Sequence, residues 1–335
     1  MMLVDFAAPV SAPPLEIEEL AVRAEKDGYD GFGAAETRHD VFPALALAAR
    51  VTRTVALQSG IAVAFARNPM SVAVLGNDLQ LISGGRFRLG LGSQVQAHIE
   101  RRFAMPWGRP AARMEEFVAA IRAIWHSWES GDRLAFRGEF YRHTLMTDFF
   151  NPGPNPHGNP PVLLAAVGER MTAVAGRVAD GVLVHPLTST AYLREKTVPA
   201  LREARGGSLD GFSLGLSAFI VLGADEAERR VAEQGVRAQI AFYASTPAYR
   251  AVLDLHGRGE LADRLNALSK RQAWAEMAAE IDDEVLGIFA VAGDAGTVAA
   301  GLRERFDGLI DRISFYTPYA TDPAQLAAVR AALAA

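Results

Sequence analysis

The run Gly84-Gly85-Arg86-Phe87-Arg88-Leu89-Gly90-Leu91-Gly92-Ser93-Gln94 reads as a turn, a short apolar strand and a glycine-rich strand end. The paired glycines stop the helix expected over 70–82. Gly90 and Gly92 carry no Cβ, so backbone there can lie against a flat ligand. Ser93 and Gln94 then offer hydrogen-bonding groups at the strand's carboxyl end, which is where ligands bind in α/β proteins.

Working outward, strands are expected near 3–8, 31–35, 54–59, 86–91, 162–166, 181–185, 212–222 and 312–316, with helical spacing between nearly all of them. The helix over 113–130 carries Phe117, Ile121, Ile124 and Trp128 on one face. The stretch 131–161 is irregular and holds a hairpin pairing 134–136 with 139–141. From 225 to about 290 the pattern turns almost wholly helical, and helices follow over 295–306 and 323–334. Eight alternating β/α units predict a closed (β/α)8 TIM barrel, a single domain over 1–335 with a helical insertion between strands 7 and 8. The rival is an open doubly wound sheet, which usually has five or six strands.

Composition narrows the function classes. Of 335 residues, 50% are hydrophobic and 22% charged, enough for a sizeable core. The net charge is −5 and no long basic run occurs, so nucleic acid is not an expected partner. The chain has no cysteine, which excludes disulfides, thiolate metal sites and a Cys nucleophile and fits a reducing cytoplasm. Met1–Phe6 does not read as a signal peptide, and no run approaches ~18 apolar residues, so no membrane span is expected. Walker A, H-E-x-x-H and G-x-S-x-G patterns do not occur, and no metal is expected.

In a barrel, the residues after each strand line the site. Here these include Glu36-Thr37-Arg38-His39-Asp40 after the second strand, Ser59-Gly60-Ile61 after the third, Gly92-Ser93-Gln94 leading to His98 after the fourth, and His185 after the sixth. Phe65, Phe103 and Trp107 are candidate apolar walls. Glu36, His39 and His98 are the candidates for moving a proton; histidine as a residue type ordinarily titrates nearest neutrality. Ala166-Val167-Gly168-Glu169-Arg170 runs from strand through glycine into a helix. That places backbone N–H groups and a guanidinium together, an arrangement suited to phosphate.

These residues resemble the bacterial luciferase-like oxidoreductases. The resemblance rests on Gly85–Gly92 for the family's GRFxLGLG, Arg67-Asn68-Pro69 after the third strand, Ala179-Asp180-Gly181 before the sixth, and the late insertion, and it spans essentially the whole chain. The run 92–103 together with Arg137-Gly138-Glu139-Phe140-Tyr141 is similar to the branch that uses coenzyme F420. The resemblance implies a flavin or deazaflavin over the third strand's end, near a non-proline cis peptide at Ser59-Gly60 or Gly60-Ile61. It implies cofactor contacts from Ser59, Gly60, Ile61, Gly92, Ser93, Gln94, His98 and Ala166, Val167, Gly168, Glu169, Arg170. The sugar-phosphate branch has a His and a Glu where this chain has Thr37 and Val95, so glucose 6-phosphate oxidation is not expected. The expected function is a cytoplasmic, homodimeric F420-dependent oxidoreductase passing a hydride to or from a small organic substrate. The alternatives are an FMN-dependent monooxygenase and a non-catalytic ligand-binding barrel.

Overall fold

The computed structural model describes residues 2–335. Its strands β1 (Leu3–Ala7), β2 (Gly31–Ala34), β3 (Ala56–Ser59), β4 (Phe87–Gly92), β5 (Val162–Ala166), β6 (Gly181–Val184), β7 (Ser213–Val221) and β8 (Arg312–Tyr316) all run parallel to their neighbours. β8 pairs with β1 and closes the ring, so the molecule is a TIM barrel. The sheet has ten strands. The two beyond the barrel are short: Ala62–Val63 extends alongside the end of β4, and Ala290–Ala292 alongside the end of β7.

A repeated device pins neighbouring strands at the floor of the barrel. Asp30, Asp180 and Asp311 stand immediately before β2, β6 and β8. Each carboxylate accepts a backbone N–H from the preceding strand's start: Val4 at 2.8 Å, Val162 at 2.7 Å and Leu214 at 2.7 Å. At the matching place before β4 stands Arg86. It donates instead, to the carbonyls of Ser83, Val55, Ala49 and Thr52 at 2.7–3.2 Å. Those carbonyls include the last, otherwise unpaired ones of helices Val41–Val51 and Pro69–Ser83. The motif arginine is thus a stitch between helix ends and the barrel.

β4 alternates strictly. Phe87, Leu89 and Leu91 point outward and are buried under the helices, whereas Arg88, Gly90 and Gly92 point inward. Arg88 donates to Ser213 Oγ at 2.8 Å, and Arg312 forks onto Asp5 with Nε–Oδ2 at 2.8 Å. Burial first, and Arg312 second, push the Arg88 guanidinium down to about 10. These charged side chains fill the floor of the barrel.

Helices Glu226–Ala244, Arg250–Leu255, Gly259–Lys270, Trp274–Ala279 and Asp283–Phe289 lie between β7 and β8. They build a second apolar cluster around Val236, Ile240, Leu265 and Phe289, into which Phe219 and Val221 of β7 reach. The strand Ala290–Ala292 after them is not expected from sequence, because three residues carry no usable period. The hairpin pairs Phe136–Arg137 with Arg142–His143, not 134–136 with 139–141. Residues 139–141 instead form the turn, since Glu116 accepts the N–H groups of Glu139, Phe140 and Tyr141 at 2.6–2.8 Å. No helix among the described residues is long and apolar enough to cross a membrane.

Candidate active site

The carboxyl ends of the strands form one rim. At the end of β3 the chain turns through a bulge in which the Gly60–Ile61 peptide is cis. β4 makes room for this bulge. A Cβ on Gly90 would stand 1.8 Å from the Ser59 carbonyl oxygen, and one on Gly92 would stand 2.9 Å from Ile61 Cδ1. The clearance of Gly90 and Gly92 is therefore filled by Ser59 and Ile61. The Ser59 side chain is buried and donates to Gly90 O at 2.9 Å while accepting from Gly90 N at 2.8 Å. Its hydroxyl staples β3 to β4, which leaves the backbone of Gly60 and Ile61 as the exposed edge of the bulge.

Glu36 braces that edge. Its N–H donates to Ile61 O at 3.1 Å, and its Oε2 accepts from Val63 N at 2.8 Å and Arg67 Nη1 at 2.7 Å. Arg67 also donates to Asp40 at 2.6 Å, and Asp40 caps the helix 41–51 by accepting from Phe42 N. These bonds occupy Oε2 and leave Oε1 of Glu36 with no partner among the described residues. His39 and His98 are exposed and accept or donate no side-chain hydrogen bond among the described residues. His39 faces a crevice under the loop 8–14, and His98 stands on the short helix Gln96–Arg101. That helix is tied to the β2 loop by Arg102, which donates to Thr37 O at 2.6 Å, and Thr37 in turn donates to Val10 O at 2.9 Å. The loops after β1, β2 and β4 so form one connected side of the rim. Gln94 sits there with a left-handed φ of 60°.

Of the three candidate walls, Phe65 is fully buried beneath the Arg113 guanidinium, which lies 4.4 Å over its ring. It is core and does not line the mouth. Phe103 and Trp107 are half-buried at the rim, Trp107 edge-on to Phe65 at 5.8 Å.

After β5 the chain enters the helix Gly168–Val178. Side chains cap the helices after β2, β3, β6, β7 and β8, through Asp40, Asn68, Ser189, Asp225 and Asp322. Helix 168–178 has Val167 at its N-cap and no side-chain bond to its first N–H groups. Gly168 has a φ of 73°, and a Cβ there would meet nothing within 4 Å. Arg170 is exposed in the first turn, and neither it nor Arg101 has a carboxylate partner among the described residues. The first N–H groups of this helix and the Arg170 guanidinium are therefore left open at the rim.

Across the ring, the β6–β8 side carries a ring cluster of which the sequence showed the strand-end residues and not their association. The His185 ring stacks on Tyr249 at 4.2 Å and meets Tyr243 edge-on at 4.5 Å. Tyr243 and Tyr316 hydroxyls are 2.9 Å apart. His185 was visible as a strand-end histidine, but its partners come from the insertion some sixty residues later, which no local pattern reveals.

One rim of the barrel thus gathers an uncapped helix start, a braced backbone edge and unpaired histidines, on the face where sites of such barrels lie. Comparison with known proteins agrees. The model of the luciferase-like monooxygenase family matches residues 4–312. The chain belongs to this family and is an oxidoreductase of it. It is 52% identical over 298 residues to an uncharacterized protein of Mycobacterium tuberculosis, covering 88% of each. It is 26% identical over 316 residues to the 5,10-methylenetetrahydromethanopterin reductase of Archaeoglobus fulgidus, covering 92% of this chain and 91% of that one. The structure of the coenzyme F420-dependent tetrahydromethanopterin reductase of Methanopyrus kandleri superposes with a TM-score of 0.80 at 20% identity, covering 99% of this chain and 97% of that one.

Proposed function

We propose that this chain is an F420-dependent oxidoreductase acting on a small organic substrate. The observation that carries the reading is the uncapped, open start of helix 168–178 with Arg170 in its first turn. The N–H groups from Gly168 onward and the Arg170 guanidinium are the donor set a phosphate diester needs. Arg101 and Arg170, in the helices that follow the paired strands β4 and β5 and free of carboxylate partners among the described residues, suit the acidic tail that F420 has and FMN lacks. F420 is also the coenzyme of the Methanopyrus reductase whose fold this chain shares.

In this reading the Gly60–Ile61 edge supports one face of the cofactor ring, with Ser93, Gln94 and the backbone of Gly92 beside it. When bound, a deazaflavin gives or takes a hydride at C5, and the protein supplies positioning and electrostatics. His39 and His98 are the residues free to hold or pass a proton at the rim. Glu36 acts through the bulge. Exposed Leu145, Phe149 and Phe150 support a homodimer, and a monomeric sedimentation coefficient would remove that part. The absence of cysteine supports a cytoplasmic location.

That donor set is tested by Arg170→Ala. Loss of a charge-assisted fork onto phosphate is expected to weaken F420 binding by about tenfold at low salt and less at high salt. Fluorescence titration at two ionic strengths reads this directly, and an unchanged affinity at both would remove the phosphate from this helix.

A further inference from the structure

The strand order puts β7 opposite β3 in the ring, so the mouth is bounded by the β3 bulge on one side and by β6–β8 on the other. Side-chain alternation fixes what faces the opening there. Leu183 points inward, since a Cβ on Gly90 or Gly215 would meet its methyls at 2.8 and 3.3 Å. His185, two residues on, therefore points the same way. Ser217 and Ser314 meet inside the barrel with their hydroxyls 3.0 Å apart, so Tyr316, two residues further along β8, also faces inward at the mouth, while Phe219 of β7 is fully buried. Tyr243 and Tyr249 come from the insertion and complete the wall. Phe219 lies 4.9 Å from Tyr316 and 6.4 Å from Tyr243, ring to ring.

The wall is made of rings and carries no charge. Burial alone pushes the His185 imidazole down to about 4, and burial alone pushes the Tyr249 phenol up to about 12. Burial likewise raises Tyr243 and Tyr316, and no Asp, Glu, Lys or Arg acts on any of the four. The imidazole tautomer follows from its bonds. Leu187 N donates to His185 Nδ1 at 3.1 Å, so the ring proton sits on Nε2. That N–H has no acceptor among the described residues, and it is not among their buried polar atoms lacking a partner.

We propose that this ring cluster is the substrate wall, and that it takes a flat, uncharged molecule whose carbonyl-type oxygen accepts from His185 Nε2–H. The proposal rests on the cofactor reading above for what lies on the bulge side. A sugar phosphate or carboxylate would meet no cation on this wall, whereas a conjugated ketone would stack on Tyr249 and Tyr316 and satisfy the one unpaired donor.

Two probes of nearly equal shape separate the cases: benzylideneacetone, a neutral conjugated ketone, and cinnamate, its carboxylate counterpart. Binding is measured by calorimetry on the protein with and without F420, and F420 affinity is measured separately by fluorescence. The ketone is expected to bind at least about tenfold tighter than cinnamate. His185→Phe, which keeps the ring and removes the donor, is expected to lose about three- to tenfold of ketone affinity, while His185→Gln, which keeps a donor, recovers part of it. F420 affinity should stay the same in both. Equal or tighter cinnamate binding overturns the proposal, as does a His185→Phe variant that binds the ketone unchanged or shifts F420 affinity instead. If F420 fails to bind at all, the cofactor reading falls, and the ketone-to-cinnamate ratio on the protein alone still decides the wall.

Discussion

Gly90→Ala is expected to abolish the folded barrel at growth temperature. The new Cβ would stand 1.8 Å from the Ser59 carbonyl oxygen and 2.8 Å from Leu183 Cδ1. Leu183 can change rotamer, but the Ser59 oxygen belongs to β3 and cannot retreat without parting β3 from β4. The Ser59 hydroxyl, which bonds Gly90 on both its N–H and its C=O, would be lost with it. Overpacking a core costs about 1–3 kcal/mol when side chains can give way, and here backbone must move, so the loss should exceed that range. Since a native domain has only about 5–15 kcal/mol to lose, the readouts are soluble yield and thermal melting. Gly287→Ala is the control, because a Cβ there meets nothing within 4 Å and its φ is ordinary. It should melt at or slightly above the wild-type temperature. A Gly90→Ala protein that melts like wild type would contradict the packing of β3 against β4.

Replacing Glu36 gives the second large effect, and the choice of substitute separates two roles. Glu36→Ala leaves the Arg67 guanidinium, 13% exposed, with Asp40 as its one carboxylate beside the Val63 carbonyl at 3.2 Å, and leaves Val63 N without its acceptor. Breaking one side of a buried pair costs about 3–5 kcal/mol, and the surviving Asp40 contact puts this case near the lower end. The bulge should lose its shape and F420 affinity should fall at least about tenfold, the equivalent of one hydrogen-bonded contact to a charged group. Glu36→Gln keeps an oxygen for Val63 N. If Glu36 positions the bulge, the Gln variant recovers most of the stability and cofactor affinity, and its activity keeps the wild-type pH profile. If the carboxylate transfers a proton, Gln is as inactive as Ala while folding and binding normally.

The barrel was legible because its strands are short apolar runs between glycine-marked turns, and all eight stand where expected. The inserted strand Ala290–Ala292 was not, since it forms only where β7 outruns the barrel and offers an edge. The hairpin slipped because Glu116, more than twenty residues earlier, seizes the three N–H groups of 139–141. A Cβ on Gly138 would stand 2.0 Å from the Glu116 carboxylate, which explains the glycine of that motif. The rim residues were legible by position and much less by role. Ser59, Gly90 and Gly92 read as ligand contacts because their chemistry suits one, and the structure adds a role that the sequence did not show, the fit of β4 against the β3 bulge. Glu36 read as an acid or base, and its neighbour Arg67 comes from the next loop. His185 acquires its surroundings from the insertion. In each case the side chain was visible and its partner was distant in sequence.

The measurement that tests the account most directly is an equilibrium titration of the purified protein, stripped of any bound cofactor, with F420 and separately with FMN, followed by fluorescence. The account predicts micromolar or tighter binding of F420 and much weaker binding of FMN. The reverse preference would contradict it and point to a flavin-dependent monooxygenase, and binding of neither would mark a ligand-binding barrel without redox chemistry.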